Sequence, residues 1–518
     1  MESPTTTPVE AIPDIKQSAT RRQIRGSSLL LLGKFLSKGL NFGVQVLIVR
    51  YLSQSDYGAF AYALSIVKLG QSFALFGLDR AITRFVPIYH EQRDYNKLFG
   101  TLFMVVSMIT AFGLAIALLF NAFQTTIAES FISDQQALAL SLLLIFLTPV
   151  EAIDELLVGM LAIFARPSAI FFRKHVVAPG LKLIVVLLLI LGQSGVFFLA
   201  GGYLAASILG VTIYTVMLIR VLERQGLFQH FNRRTITIPW REVLAFTIPL
   251  LTSDLVYVVM NSMDVILLER FQGTVDVAAF RAVQPTAIMN QLVMASFNTL
   301  FTPLAARMFA RNDREGINYL YWQTAIWIAV FSFPIFAVTF SIAHPITVLL
   351  YGARYEQSAT ILALLSFGYY FNAALGFNGL TLKVYGKLRY IVVLNIMTAV
   401  ANLGINLLLI PRYGALGAAI GTTGTLIIHN ILKQAGLRLG TGISLFDQRY
   451  FRVYVIIGSS ALGLLLFQLL TSAPVYISLV LAGLVSLMVI RLNRHLLNVN
   501  QTFPELLRLP LMRRLLGQ

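Results

Sequence analysis

Ten charged side chains interrupt stretches of this chain that are otherwise apolar enough to cross a bilayer. They are Lys34, Lys38, Lys68, Lys182 and Arg281, set against Glu151, Asp154, Glu155, Asp254 and Asp264. Facing lipid at a helix centre, each costs about 2.5–3.5 kcal/mol, or roughly 25–35 kcal/mol together. A protein held together by about 5–15 kcal/mol cannot carry that. Most of them must face a bundle interior or a watery cavity, the lining expected of a transport path. Their spacing sorts them. Lys34, Lys38, Asn41 and Gln45 follow i, i+4, i+7, i+11 on one helical face. Asp254, Tyr257, Asn261 and Asp264 share a face of a second helix, and Lys68 stands three residues before Gln71 on a third. Arg281, Gln284, Gln291 and Asn298 share one face of a fourth helix. The expected substrate-binding lining is Lys34, Lys38, Asn41, Gln45, Lys68, Gln71, Arg281, Gln284 and Gln291.

Glu151, Asp154 and Glu155 crowd one side of a single segment. Three carboxylates so close do not all stay ionised without partners. With Asp254 they form the expected ion-coupling set, for H⁺ or Na⁺. The plainer alternative is that they pair with Lys182 or with the lysines near 34–38. No catalytic residue, cofactor or metal site is expected. Cysteine is absent and the six histidines are scattered without metal-ligand spacing.

The elements that must position these residues are transmembrane helices. The 518-residue chain is 57% hydrophobic and only 12% charged, against about 25% charged in soluble domains. Its net charge of +17 reads as basic cytoplasmic loops rather than nucleic-acid binding. The expected fold is all-α integral membrane with about 14 spans, near 27–49, 57–78, 99–120, 136–164, 170–191, 195–219, 242–268, 274–304, 318–341, 356–381, 387–410, 413–432, 451–471 and 473–490. On that count 31 Lys and Arg fall on the side of the termini and only Arg50, Arg270, Arg354 and Arg412 on the other. Both termini are therefore expected in the cytoplasm. Residues 1–26 read as a disordered cytoplasmic tail rather than a cleaved signal peptide, and 491–518 as a basic interfacial tail.

A shift of 220 residues aligns the chain with itself. Asn41–Phe60 and Asn261–Phe280 match at six of twenty positions, and Gln71 falls on Gln291. Equivalent elements are six spans apart, so the copies share one orientation. Two six-helix lobes follow, 27–221 and 241–437, joined by a cytoplasmic linker at 222–240 and followed by two extra helices within 438–490. In such parallel-repeat transporters the site lies between lobes near the midplane. Asn395, Asn402 and Asn406 read as interhelical hydrogen bonds rather than ligands.

RYLSQSDYGAFAYALS at 50–65, FVPIYHEQRD at 85–94, WREVLAFTIPLL at 240–251, VLLYGARYEQSATIL at 348–362 and LLLIPRYGALGAAIGTT at 407–423 resemble segments of Wzx-type polysaccharide-unit flippases. These belong to the multidrug/oligosaccharidyl-lipid/polysaccharide exporter superfamily. The resemblance runs from about residue 24 to 490; VAAF at 277–280 departs from a common Gly-x-Tyr. It implies flipping of a polyprenyl-pyrophosphate-linked oligosaccharide between leaflets for an O-antigen or exopolysaccharide. Membrane lipids, an H⁺ or Na⁺ gradient, a glycan polymerase and export machinery are the implied partners. A diphosphate would suit Lys34, Lys38, Lys68 and Arg281, with the amides facing sugar hydroxyls.

Rival readings are a peptidoglycan lipid II flippase, whose substrate carries the same diphosphate, and a multidrug/cation antiporter, for which the carboxylates would be the binding site. An enzyme is disfavoured by short external loops and by the absence of Asp-x-Asp and P-loop motifs.

Overall fold

The computed structural model describes residue 33 and residues 35–164, 171–232, 234–444 and 446–497, with backbone alone at 130, 249–257, 259–261 and 299–300. Lys34 and the side chain of Asp254 lie outside the described residues. Among those described there is no strand. In chain order the helices are α1 (35–51), α2 (Gln54–Leu75), α3 (Leu78–Glu91), α4 (Tyr95–Ala122), α5 (Gln124–Ser130), α6 (Gln135–Leu144) and α7 (Leu147–Phe164). A π-helical turn, Arg173–Val177, leads into α8 (Ala178–Leu191), followed by α9 (Val196–Arg224), α10 (Trp240–Gln272) and α11 (Thr274–Ile288). Then come α12 (Leu292–Ala310), α13 (Arg314–Phe336), α14 (Ala343–Tyr351), α15 (Ser358–Ala374), α16 (Asn378–Val384) and α17 (Leu388–Thr441). The last are α18 (Phe451–Thr471), α19 (Val475–Leu492) and a short α20 (Arg494–Leu497).

Nine helices among the described residues are long and apolar enough to cross a membrane, or ten if α6 and α7, bent by 44°, make one span. One of the nine is α17, whose 54 residues would reach about 81 Å if straight, more than twice a hydrocarbon core of about 30 Å. It is not straight. Gly414 (φ 55°, ψ −134°) breaks it in the left-handed half of φ space, where a side chain is disfavoured. The chain turns back there, and Asn402 Nδ2 reaches Thr425 Oγ1 at 3.3 Å. A Cβ at Gly414 would stand 2.3 Å from Asp276 Oδ1, the atom that accepts the Ala415 N–H at 2.7 Å.

Local signals fix the helix starts. Ser53 and Asp56 cap α2 reciprocally: Ser53 Oγ accepts the Asp56 N–H at 3.0 Å and donates to Asp56 Oδ2 at 2.6 Å. Asp134 and Asp313 accept the N3 amides of α6 and α13. Helix starts also keep an interval near 220 residues, Gln54 with Thr274 and Tyr95 with Arg314.

The chain divides into two compact units that interleave along the sequence. One comprises the described residues to Val44, Phe73–Ala117 and Phe146–Ile248. Its core joins Leu78, Ile82 and Val86 of α3, Leu98, Val105 and Ile109 of α4, Leu156 and Leu161 of α7, and Tyr214 and Leu218 of α9. Small residues set the spacing: Gly113 of α4 lies so near Pro149 of α7 that a Cβ would be 2.7 Å from the proline Cα. The other unit comprises Gln45–Ser72, Leu118–Ile145 and the described residues from Pro249 onward. Within it α13 is central, its apolar window 72% buried against 22% for α18 and α19. Those last two helices turn Leu466, Leu469, Leu470, Val480 and Leu484 outward, Leu470 at 84% exposure. Such a contiguous apolar face is what lipid covers. The chain is a multi-pass membrane protein.

Candidate functional site

The polar centre of the second unit is built on Arg281. Its guanidinium donates to Gln284 Oε1 at 2.7 Å and to Ser65 Oγ at 2.9 Å. Its carbonyl accepts from Gln45 Nε2 and Tyr57 Oη, each at 3.3 Å, and Gln45 Nε2 is also 3.3 Å from Tyr57 Oη. Gln284 in turn reaches Tyr369 Oη at 3.5 Å. Thus α1, α2, α11 and α15 converge on one half-buried cation. Gln284 and Ser65, the side chains that accept from the guanidinium here, are neutral, and they orient it; the Asp264 carboxylate is near enough to interact with it electrostatically. Beside it on α2, Lys68 Nζ donates to Gln71 Oε1 at 2.8 Å, with Lys68 exposed and Gln71 buried.

Of the sequence-predicted lining, Gln45, Arg281 and Gln284 meet in this network, and Lys68 pairs with Gln71. Gln291 does not join them. A 3₁₀ turn, Met289–Gln291, separates α11 from α12, advancing about 120° per residue instead of about 100°. In the first unit Lys38 and Asn41 are exposed. Tyr57 and Ser65 were missed by charge-based reading. They sit 11 and three residues before Lys68 on the same face of α2, a spacing that a search for neutral hydroxyls would have found.

One carboxylate of the first unit, Asp154, has a partner that the sequence did not suggest. Asp154 pairs with neither Lys182 nor α1 but with Arg173, whose Nη2 lies 2.6 Å from Asp154 Oδ1 and 3.0 Å from the Asp154 carbonyl oxygen. Arg173 is only 2% exposed, stacks 3.9 Å from the Tyr214 ring centroid, and accepts from Tyr214 Oη at its carbonyl at 3.1 Å. The π-helical turn explains this, because an inserted residue rotates Arg173 and His175 inward together. His175 Nδ1 meets Ser37 Oγ at 2.8 Å. Lys182 lies over the Tyr203 ring at 5.3 Å. Glu151 is half-buried and Glu155 exposed.

A second buried carboxylate was named from the sequence but not assigned a role. Asp264 of α10 is 2% exposed. Its Oδ1 accepts from Asn406 Nδ2 and its Oδ2 from Thr422 Oγ1 at 2.8 Å. Those donors lie on opposite sides of the Gly414 break, so the turn in α17 builds the pocket. Asn406 also donates to Asn402 Oδ1 at 3.2 Å. Asp264 and the Arg281 guanidinium also interact electrostatically, so the carboxylate and the cation belong to one polar centre. Among the described residues no group of three His, Cys, Asp or Glu is placed to hold a metal.

One end of the same unit is tied by two arginines that the basic-residue count had placed opposite the termini. Arg50 Nε donates to the Leu350 carbonyl at 2.9 Å and its Nη2 to that of Leu349. Arg354 Nη2 donates to the Val49 and Arg50 carbonyls at 2.6 and 2.7 Å. Gln54 Nε2 reaches the Arg354 carbonyl at 2.8 Å. The clasp is reciprocal: each arginine caps the carbonyl end of the helix that carries, or adjoins, the other. Nearby, Glu269 Oε1 accepts the amides of Ser133 and Asp134 at 2.8 Å each, and Asp56 accepts from Gln136 Nε2 at 2.7 Å.

A helical membrane bundle with buried charges at its polar centres defines a transporter class, and comparison with known proteins supports this. Residues 24–309 match the family model described as polysaccharide biosynthesis protein, and residues 249–408 match the MatE model. This chain belongs to the polysaccharide biosynthesis protein family, within the superfamily of multidrug and lipid-linked oligosaccharide exporters. An uncharacterized membrane protein of Methanocaldococcus jannaschii is 22% identical over 420 residues, covering 78% of this chain and 82% of that protein. The capsular polysaccharide biosynthesis protein CapF of Staphylococcus aureus is 22% identical over 222 residues, 42% of this chain and 56% of its own. In fold the chain is similar to the lipid II flippase MurJ in an inward closed conformation, with TM-score 0.70 and 17% identity over 90% of this chain and 99% of that one. It is also similar to an inward-facing multidrug resistance MATE transporter, with TM-score 0.61 and 15% identity over 78% and 94%. Family and fold are those of transporters, not enzymes.

Proposed function

We propose that this protein flips a polyprenyl-diphosphate-linked oligosaccharide from the inner to the outer leaflet of the plasma membrane during polysaccharide biosynthesis. The observation that supports the reading is Arg281, a half-buried cation on which four helices converge and whose guanidinium is held by the displaceable neutral groups of Gln284 and Ser65. A diphosphate brings about two negative charges that hydrocarbon excludes. A guanidinium supplies two parallel N–H donors to such an oxyanion, and the ligand would displace Ser65 and Gln284 from the fork. Lys34, Lys38 and Lys68 would add point charges, and Asn41, Gln45, Gln71, Gln284 and Gln291 hydrogen bonds to sugar.

In this reading two six-helix lobes, 27–221 and 241–437, rock about the site, with both termini in the cytoplasm and α18 and α19 as additions that bring the spans to fourteen. Coupling to H⁺ or Na⁺ would act through the intramembrane carboxylates. Asp264 is the strongest candidate, because it is buried, its hydrogen-bond donors Asn406 and Thr422 are neutral, and it interacts electrostatically with Arg281, the cation proposed to meet the substrate. Asp154 is already neutralised by Arg173, and Glu151, Glu155 and Asp254 stand behind it. A glycan polymerase and export machinery would take the product.

The test is translocation of a fluorescent polyprenyl-diphosphate oligosaccharide in proteoliposomes. Arg281→Gln should lower the rate at least tenfold while Arg281→Lys keeps a measurable part. Unchanged transport by Arg281→Gln refutes the assignment. A second reading, a lipid II flippase, is favoured by the fold similarity to MurJ over nearly the whole chain. The same assay with lipid II decides between them.

A further inference from the structure

Between Glu356 and Asp447 the chain has 90 residues without one Asp or Glu, yet it carries Lys383, Lys387, Arg389, Arg412, Lys433 and Arg438. Two of these cations meet at a built polar floor. Asn430 Nδ2 donates to Asn372 Oδ1 at 2.7 Å, Asn378 Nδ2 donates to Asn430 Oδ1 at 3.1 Å, and Asn378 Oδ1 accepts the Gly379 N–H at 2.7 Å. Asn378 and Asn430 are 3% and 1% exposed. One turn further along α17, Lys433 is half-buried and runs along the first turn of α16. A Cβ at Gly379 would stand 3.6 Å from its Cε and 3.7 Å from its Nζ. Lys383 lies four residues after Gly379, on that same side of α16.

Lys433 is near enough to Lys383 and to His429 for each pair to interact electrostatically. His429 Nε2 is 3.0 Å from Asn395 Oδ1. Neither lysine has a carboxylate within 4 Å among the described residues. A half-buried ammonium, Lys433, beside a second one on the exposed Lys383 and over an amide floor, is costly unless an anion joins them. Surface lysines alone would swing into water, and Lys433 is held against Gly379 instead.

We propose that Lys383 and Lys433, with His429 and the Asn378–Asn430 floor, form a second anion site that takes a phosphate or diphosphate group. It uses α16 and α17, apart from the Arg281 network, and does not depend on the flippase reading. The group could be a lipid headgroup or free phosphate, since both offer the same oxyanion to two point charges.

The experiment uses the full-length protein in uncharged detergent, and thermal unfolding is followed as probe is added. One arm adds inorganic pyrophosphate, the other phosphatidylglycerol in mixed micelles. The wild type should gain thermal stability saturably with at least one probe. Lys383→Met and Lys433→Met should each weaken the apparent affinity at least tenfold, and Lys433→Arg should restore it. A response to pyrophosphate assigns the site to phosphate groups in general. A response to phosphatidylglycerol alone assigns it to a lipid headgroup. No response by the wild type to either probe, or an undiminished response in both methionine variants with a native elution profile, overturns the proposal.

Discussion

Gly58 offers a sharp test of the close approach between the starts of α2 and α11. A Cβ built there would lie 1.8 Å from the Thr274 carbonyl oxygen and 2.6 Å from its carbon. The obstacle is backbone, so no rotamer change relieves it. Helices α2 and α11 are also tied by the Ser55–Thr274 hydroxyl contact at 3.2 Å and by the bonds from Gln45 and Tyr57 to the Arg281 carbonyl. On an exposed helix Gly→Ala gains about 0.8–1.0 kcal/mol. Here more than an ångström of separation must open, and overpacking of this kind costs about 1–3 kcal/mol, occasionally more. The clash should win, leaving Gly58→Ala destabilised by about 1–2 kcal/mol. Gly463 of α18 is the control, since nothing lies within 4 Å of its Cβ position. Gly463→Ala should be neutral or stabilising by up to about 1 kcal/mol. Thermal unfolding in detergent, read by loss of the monodisperse elution peak, measures both. A Gly58→Ala melting temperature equal to or above that of Gly463→Ala refutes the packing argument.

Arg173→Met should destabilise by about 1–2 kcal/mol, because it removes the ion pair and hydrogen bonds to Asp154, whose carboxylate is partly solvated at 38% exposure. Adding Asp154→Asn should add little further loss, and a double-mutant cycle of thermal stabilities checks it. Arg50→Gln with Arg354→Gln should loosen the carbonyl clasp. After discounting for exposure, its loss is worth about 1–2 kcal/mol. Because the chain has no native cysteine, a single Ser65→Cys reports it: labelling by an impermeant maleimide should quicken roughly fivefold to thirtyfold. Unchanged labelling contradicts a contribution of the clasp to closing this unit around Ser65. Gly414→Ala should cost at least about 1 kcal/mol from its positive φ and the crowding of Asp276, seen as a lower unfolding temperature; an unchanged value contradicts the strain.

The helices were legible because hydropathy is a long-range average that single residues cannot hide. Their breaks were not. Met289–Gln291 and Gly414 interrupt apolar runs that read as continuous or as separate spans. The choice depends on what packs alongside, such as Asp276 against Gly414. The polar centre was half legible. Charge in an apolar run exposes Arg281 and Lys68 at once, whereas Tyr57 and Ser65 are common in ordinary helices and acquire meaning only beside a guanidinium. Arg173 was read as a loop cation. Only the π-helical turn, which no periodicity announces, brings it inside to Asp154. The asparagines of α17 were read correctly as interhelical glue. What the sequence concealed is that Asn406 also serves the Asp264 carboxylate, a link across 142 positions.

The most direct test of the flippase assignment is mass spectrometry of lipid-linked glycans extracted from cells depleted of this protein. The account expects accumulation of one polyprenyl-diphosphate oligosaccharide together with loss of one surface polymer, and both should reverse with the wild type but not with Arg281→Gln. Unchanged lipid-linked pools combined with raised sensitivity to cationic drugs would contradict it, and would move the transported charge from the guanidinium side of the site to its carboxylates.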